Sequence, residues 1–428
     1  MQIAASRVES PMNRAKGSWR GGVVLGIAFL LGVPFDASSV PLAAADVAQA
    51  PAPSNPADCV AAPTRGCTLA AALASANAIT DASDRAWALA RVAEAQANAG
   101  SIVAALATAQ RIDEAAAAAW ALAWIAGAEV KAGALDAALA RAQSLSNERA
   151  RAQALAWVAE AKKDRALFQE AIQAADRVQD KKDRAWALAW IVDAQSRAAA
   201  YSDALDTANA ITEDQARAWA LVWLVEARAD TGSTRQALRS ARAIKDASAR
   251  ATALAWVAAA RKDQAVFKEA LTTARGVTSG YWRGLTLATI AEAQTRVGAF
   301  GEAAATARSI ADEYRRAVAL SGVAAAAKSD ALFSEALAAA RRVGDDGDRA
   351  NALTAIADAR GDRALVDEAL ALARGLRRVD WRALALARIA EAQARTGAVS
   401  EGLTIAGEIP DNFVRASSLT KIAAGLSN

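Results

Sequence analysis

An arginine returns every 33 residues through most of this chain, at Arg85, Arg151, Arg184, Arg217, Arg250, Arg283, Arg316, Arg349, Arg382 and Arg415, and only Ala118 breaks the column. A fixed period of this length marks stacked supersecondary units, each too small to bury its apolar face alone. With the arginine as position 0, leucine falls at +4 (Leu89, Leu122, Leu155, Leu188, Leu221) and Val, Ile or Leu at +7 (Val92, Ile125, Val158, Ile191, Leu224). Alanine fills most of +1 and +8. Together these make the small, apolar face of a 3.6-period helix, helix A. A second pattern at i, i+3, i+6 follows in Leu106, Ala109 and Ile112, and again in Leu139, Ala142, Leu145 and Leu205, Ala208, Ile211, and gives helix B. Between them stand Gly100, Gly133, Gly232, Gly298 and Gly397, or Lys163-Asp164, Lys262-Asp263, Ser329-Asp330 and Gly361-Asp362. Such residues stop one helix or cap the next. The unit is an antiparallel helical hairpin, and the fold class is all-α.

Composition narrows the chemistry. The 428 residues hold 50 basic and 46 acidic side chains, a mixed surface with no basic face, so no nucleic-acid partner is expected. Histidine is absent and the cysteines number two, Cys59 and Cys67. The usual general base and commonest metal ligand are therefore missing, and two thiols cannot build a four-ligand zinc site. The reading is a non-enzyme with no catalytic residue, no metal and no cofactor.

Residues 1–45 read as an export signal. Arg14, Lys16 and Arg20 precede the apolar run from Gly21 to Phe35, and small residues at Ala43 to Ala45 offer a cleavage site. Met12 is an alternative start. The run is shorter than the roughly 20 residues a span requires, so no membrane span is expected after signal removal, and the protein is placed as exported, periplasmic or secreted. Residues 46–67 form a linker rich in proline and alanine. In an oxidising compartment Cys59 and Cys67 could join as a disulfide that staples the linker to the first helix. The array runs over 68–428. It opens with a lone helix B, since Leu73 and Ile79 stand 33 residues before Leu106 and Ile112, and it ends on a lone helix A around Arg415. Ser417, Ser418 and Lys421 in that last helix read as a polar cap on an open end.

The unit resembles a tetratricopeptide-type repeat one residue short. Leu89, Val92 and Ala93 match the large-large-small pattern of that family's first helix, Gly100 its mid-turn glycine, and Ala105-Leu106 the small-apolar pair of its second helix. The chain departs where Gln96 and Ala109 stand in place of the family's aromatics, and Pro410 is the one proline that closes a repeat. The ankyrin signature, which shares the period, is absent. The resemblance implies a right-handed α-solenoid of about ten hairpins whose helices A line a concave groove.

Three columns carry the functional expectation. Tryptophan fills +2 in Trp87, Trp120, Trp186 and Trp219, and +6 in Trp124, Trp157, Trp190, Trp223 and Trp256. At 100° per residue these positions lie about 160° and 200° from +4, opposite the packed face. They form either a structural aromatic ladder or an exposed stripe, and by the resemblance they would face a ligand in the groove. Acids recur at +9, beside the stripe, in Glu94, Glu160, Asp193, Glu226, Glu292, Asp358 and Glu391. Of these, Glu160, Asp193 and Glu226 join the tryptophans as the candidate site. The arginine column is read as structural, donating to the free carbonyls that end the preceding helix B. The expected function is an exported scaffold that holds a peptide or protein segment in the groove. The alternatives are a carbohydrate-binding protein with Trp platforms and a self-associating array.

Overall fold

The computed structural model describes residues 59–227 and 231–426, and the side chains of 231–233 are left aside. The expected leader and residues 46–58 of the linker lie outside the described residues. What is described is helical throughout, with α1 (Arg65–Asn77), α2 (Ala82–Asn98), α3 (Ile102–Ala109), α4 (Ala115–Lys131), α5 (Leu135–Ser144) and α6 (Glu148–Lys162) opening the array. Next come α7 (Arg165–Arg177), α8 (Lys181–Arg197), α9 (Tyr201–Ala210), α10 (Asp214–Ala227), α11 (Thr231–Arg242) and α12 (Ala247–Arg261). They are followed by α13 (Gln264–Arg275), α14 (Gly280–Arg296), α15 (Phe300–Arg308), α16 (Glu313–Ala327) and α17 (Asp330–Arg342). The last are α18 (Asp346–Arg360), α19 (Arg363–Gly375), α20 (Val379–Arg395), α21 (Val399–Gly407) and α22 (Asn412–Ala424). Even-numbered helices are A and odd-numbered helices are B, and they pack consecutively as an all-α solenoid.

Sequence alone left one helix B and one helix A unpaired at the two ends. In the structure these ends pair with each other. The first helix, α1, packs on the last, α22, as closely as the two helices of an ordinary hairpin, and α22 also packs on both α20 and α2. Polar contacts seal the joint: Asn412 Nδ2 donates to the Ala78 carbonyl at 3.2 Å, Ser400 Oγ donates to the Val60 carbonyl at 2.9 Å, and Arg65 donates to the Leu426 carbonyl. The solenoid is therefore a closed ring of eleven hairpins, the eleventh assembled from α22 and α1. The reading of Ser417, Ser418 and Lys421 as an open polar cap does not hold: Ser418 is fully buried and Lys421 pairs with Glu391 at 3.1 Å. A terminal cap is needed only where a repeat lacks a neighbour.

Alanine explains the curvature. At +1, +3, +5 and +8 helix A presents Ala86, Ala88, Ala90 and Ala93, all buried, and the pattern repeats in Ala152, Ala154, Ala156 and Ala159. Small side chains on both flanks let neighbouring helices A approach closely. Successive helices B touch far less; α9 and α11 are the pair in substantial contact. The A layer thus has the shorter circumference and forms the inner wall. With eleven helices spaced 8–10 Å apart, the inner wall is a circle of axes about 30 Å across.

The hairpins whose turns lie among the described residues come in two kinds with equal length. In the first, a 17-residue helix A meets a helix B of 8–10 residues through a residue with positive φ: Gly100, Gly133, Gly298 or Gly397. In the second, helix A stops after 15 residues at a left-handed Lys163, Lys262, Lys328 or Gly361. The next residue, Asp164, Asp263, Ser329 or Asp362, then caps helix B through its side chain. Residue Gly232, read as a break, lies instead in the first turn of α11. The linker boundary also shifts, since α1 begins at Arg65 with Thr64 as its cap.

In the α8/α9 hairpin the glycine place is held by Ala199 at φ 61°. A side chain there meets the left-handed penalty that glycine avoids. Ala199→Gly is expected to stabilise the fold by about 1 kcal/mol, read as a higher urea midpoint; an unchanged or lower midpoint would contradict this.

The arginines largely do what their position suggests. Seven of them, Arg85, Arg250, Arg283, Arg316, Arg349, Arg382 and Arg415, donate to the carbonyl six residues earlier at the end of the preceding helix B. Three differ: Arg151 pairs with Glu170, Arg217 pairs with Asp214, and Arg184 does not reach that carbonyl.

Candidate functional site

Contacts that skip a whole hairpin locate the concave face. Trp120 on α4 meets Trp190 on α8 edge-on at 5.9 Å, across α6. Arg296 on α14 bonds Glu226 on α10, and Arg388 on α20 donates to the Tyr314 hydroxyl on α16 at 3.2 Å. Helices two places apart can touch only on the inside of the curve. The residues involved sit at −2, +2, +6, +9 and +13, which fall within about 80° of one another on the helix wheel. That face lines the lumen.

Because all helices A run parallel, these columns become levels along the ring axis. The +2 and +6 tryptophans form a belt, and the acids sit above them toward the helix C-termini. Trp120 and Trp124 are 5.7 Å apart on one helix and Trp219 and Trp223 are 6.4 Å apart on another. Trp87, Trp120, Trp124, Trp157, Trp186, Trp190 and Trp219 are half-buried, while Trp223 and Trp256 are only 8% and 4% exposed. Trp157 lies against Gly127, where an added Cβ would come within 2.9 Å of the indole. The belt is thus partly a ladder and partly an open surface.

Arginines cover several of the rings. Arg91 stacks 5.1 Å from Trp124, Arg296 4.6 Å from Trp256, and Arg149 lies 5.0 and 5.7 Å from Trp190 and Trp120 while pairing with Asp183 at 2.8 Å. Guanidinium groups favour such aromatic faces. The arginines at −2 and +13 escaped the sequence reading, because neither position repeats often enough to form a column.

The acids are drawn into pairs with some of these arginines. Arg197 holds Glu160 at 2.8 Å and Asp193 at 2.5 Å, and Arg296 holds Glu226. Farther round, Arg395 holds Asp358 and Arg91 holds Glu94. Burial pushes Asp193 and Glu226 above the usual carboxylate range, and their arginines draw them partly back. Glu292 is raised furthest, to about 7, by burial first, with Glu226 adding repulsion and Arg296 opposing.

Between pH 4.5 and about 7, therefore, the folded ring holds a proton on Glu292 that the unfolded chain has released. Extra protons bound by the native state mean that stability falls as pH rises through this window. Glu292→Gln is expected to be near neutral at pH 4.5 and to stabilise by roughly 1–3 kcal/mol above pH 7.5. Paired denaturation curves at the two pH values check this; equal effects at both would contradict it.

Closure adds an order that the linear chain hides. Read round the ring, the +6 level holds five consecutive tryptophans from Trp124 to Trp256, then the small Thr289, Gly322 and Ala355, then Arg388, Lys421 and Arg91. Arg388 and Lys421 stand in adjacent repeats near one chain end, and Arg91, near the other, becomes their neighbour only through ring closure. A Cβ at Gly322 would meet nothing within 4 Å, so the wall is open at that position, while Thr289 is buried.

Cys59 and Cys67 are joined as a disulfide, with Cys59 fully buried, so the staple fixes the segment whose Val60 carbonyl meets α21. Among the described residues no helix is long and apolar enough to cross a membrane, and no group of His, Cys, Asp and Glu could hold a metal ion.

No protein-family profile matches the chain, and no curated protein sequence matches it. Among solved structures, the crystal structure of Ton1535 from Thermococcus onnurineus NA1 is similar at 15% identity, over 76% of this chain and 95% of that one, with a TM-score of 0.28.

Proposed function

We propose that this ring is an exported, non-catalytic scaffold that holds an extended or helical segment of a partner protein in its lumen. The observation that carries the reading is the one-sided belt of half-buried tryptophans on the inner wall, flanked by carboxylates already matched with arginines. Aromatic and arginine side chains in a concave, partly desolvated surface are the usual anchors of protein recognition. Size agrees with this: once side chains are allowed for, a wall about 30 Å across at its axes leaves an opening of about 20 Å, wider than a single helix of 10–12 Å. The tetratricopeptide-type reading of the repeat supports the same face, since in that family the first helices form the groove. A disulfide from the half-buried Cys67 of the first helix to the buried Cys59 fits an oxidising compartment.

Selection from a displayed peptide library tests the proposal. Binders of the ring should converge on a shared sequence and lose at least tenfold affinity for Trp157→Ala and Trp190→Ala variants of unchanged helicity. Failure to enrich any sequence, or binders indifferent to both substitutions, would contradict it.

A further inference from the structure

The hairpins share a common framework, so the ring supplies its own controls. Two internal bonds recur in it. In seven hairpins the position-0 arginine donates to the carbonyl six residues earlier, as in Arg250 Nη1 to the Ile244 carbonyl at 2.7 Å. In two hairpins of the longer-helix kind, α2/α3 and α14/α15, a threonine on helix B donates to a glutamine on helix A, Thr108 to Gln96 at 2.7 Å and Thr306 to Gln294 at 2.8 Å. The α8/α9 hairpin makes neither bond. The Arg184 side chain has no hydrogen-bond or ion-pair partner among the described residues, its backbone N–H alone bonding Asp180, whereas Arg151 and Arg217, which also leave the carbonyl, each find a carboxylate. Thr207 donates to the Asp203 carbonyl at 2.9 Å, and the fully buried Gln195 keeps both amide atoms unpaired.

Arg184 and Thr207 line the same space. It is a groove of about 600 Å³ on the outer face, with α7 and α9 as banks and α8 as floor. Its volume lies in the range of small-molecule sites. Ile172, Leu188 and Ile211 supply apolar wall, Lys181 a second cation, and Asp176 one carboxylate. A smaller groove of about 210 Å³ between α19 and α21 has no cation to spare, because Arg363 pairs with Glu401 at 3.0 Å and Arg374 with Glu408 at 2.6 Å.

We propose that the α7/α8/α9 groove binds a small amphiphilic anion, a carboxylate or phosphate on an aliphatic body. Arg184 and Lys181 take the charged group, and Ile172, Leu188 and Ile211 take the body. The site lies on the outer face and is independent of the lumen.

Calorimetry with decanoate, octyl phosphate and decanol, each below its micelle concentration, tests this on the full chain, alongside Arg184→Gln and Arg250→Gln. Arg184→Gln should leave the melting temperature within about a degree, because it breaks no framework bond, whereas Arg250→Gln should lower it by a few degrees. At least one anion should bind the parent chain and lose tenfold or more in Arg184→Gln, with decanol much weaker; which anion binds separates the carboxylate from the phosphate source. Binding by neither anion, binding unaffected by Arg184→Gln, or a loss of stability in Arg184→Gln equal to that in Arg250→Gln would each overturn the assignment.

Discussion

A chain ending at Pro410, and so lacking α22, is expected to lose protection at the opposite end of the sequence. In the ring α22 is the antiparallel partner of α1, and Leu69, Ala71, Ala72 and Ala76 of α1 are buried along with Leu419 and Ile422 of α22. Without that partner, α1 keeps only its contact with α2. Amides in 65–77 should then exchange at least about 100-fold faster, close to 3 kcal/mol of local stability. In an open solenoid each repeat contacts only its neighbours, so the same deletion would leave α1, ten hairpins away, untouched. Hydrogen exchange read by mass spectrometry on peptides from 65–77 decides between them. Leu419→Ala is the milder version, with an expected cost of 2–5 kcal/mol for a fully buried leucine.

Gly402 should be the least tolerant glycine in the array. It sits on α21 where that helix crosses α20, and a Cβ there would lie 2.7 Å from the Ala390 carbonyl oxygen and 3.1 Å from the Ala394 nitrogen. Those are backbone atoms, which cannot swing aside as a side chain can. Gly402→Val is therefore expected to cost about 3 kcal/mol or more, through displacement of α21 from α20. The damage should spread to the closing joint, since Ser400 on the same helix holds the Val60 carbonyl. Thermal unfolding of the variant checks the magnitude. A comparable substitution at Gly407, where an added Cβ meets nothing within 4 Å, should cost much less. Equal costs at the two positions would contradict the close-approach account.

Period, helix pairs and most breaks were legible in the sequence because each depends on local chemistry. The arginine column could be assigned as capping because position 0 stands just past a helix end, and seven of the ten arginines behave so. Closure was not legible. It is the sum of eleven small rotations, about 33° each, and a change of a few degrees per hairpin would give an open superhelix with the same residue pattern. The half-repeats at the two ends were the available clue, since a lone helix B and a lone helix A are complementary. Reading Ser418 as a cap missed this, for a serine buried against the neighbouring α20, as Ser418 is, and one that faces solvent look alike in sequence.

The candidate site was legible in part for the same reason. Wheel angles put the tryptophans and the acids on one face, and that face lines the lumen. What the angles could not supply were partners two hairpins away: Arg149 between Trp120 and Trp190, or Arg296 bridging Glu226 and Trp256. Those contacts exist only once the wall is curved.

The central claim is that the two ends of the array meet. Spin labels on cysteines placed at Ala78 and Asn412 test it directly, because the native cysteines are paired with each other and will not take the label. The closed ring predicts one narrow distance distribution at the short limit of the pulsed dipolar measurement, since the two residues share a hydrogen bond at 3.2 Å. A broad distribution at several tens of ångströms, as ten steps of 8–10 Å along an open arc would give, would contradict it.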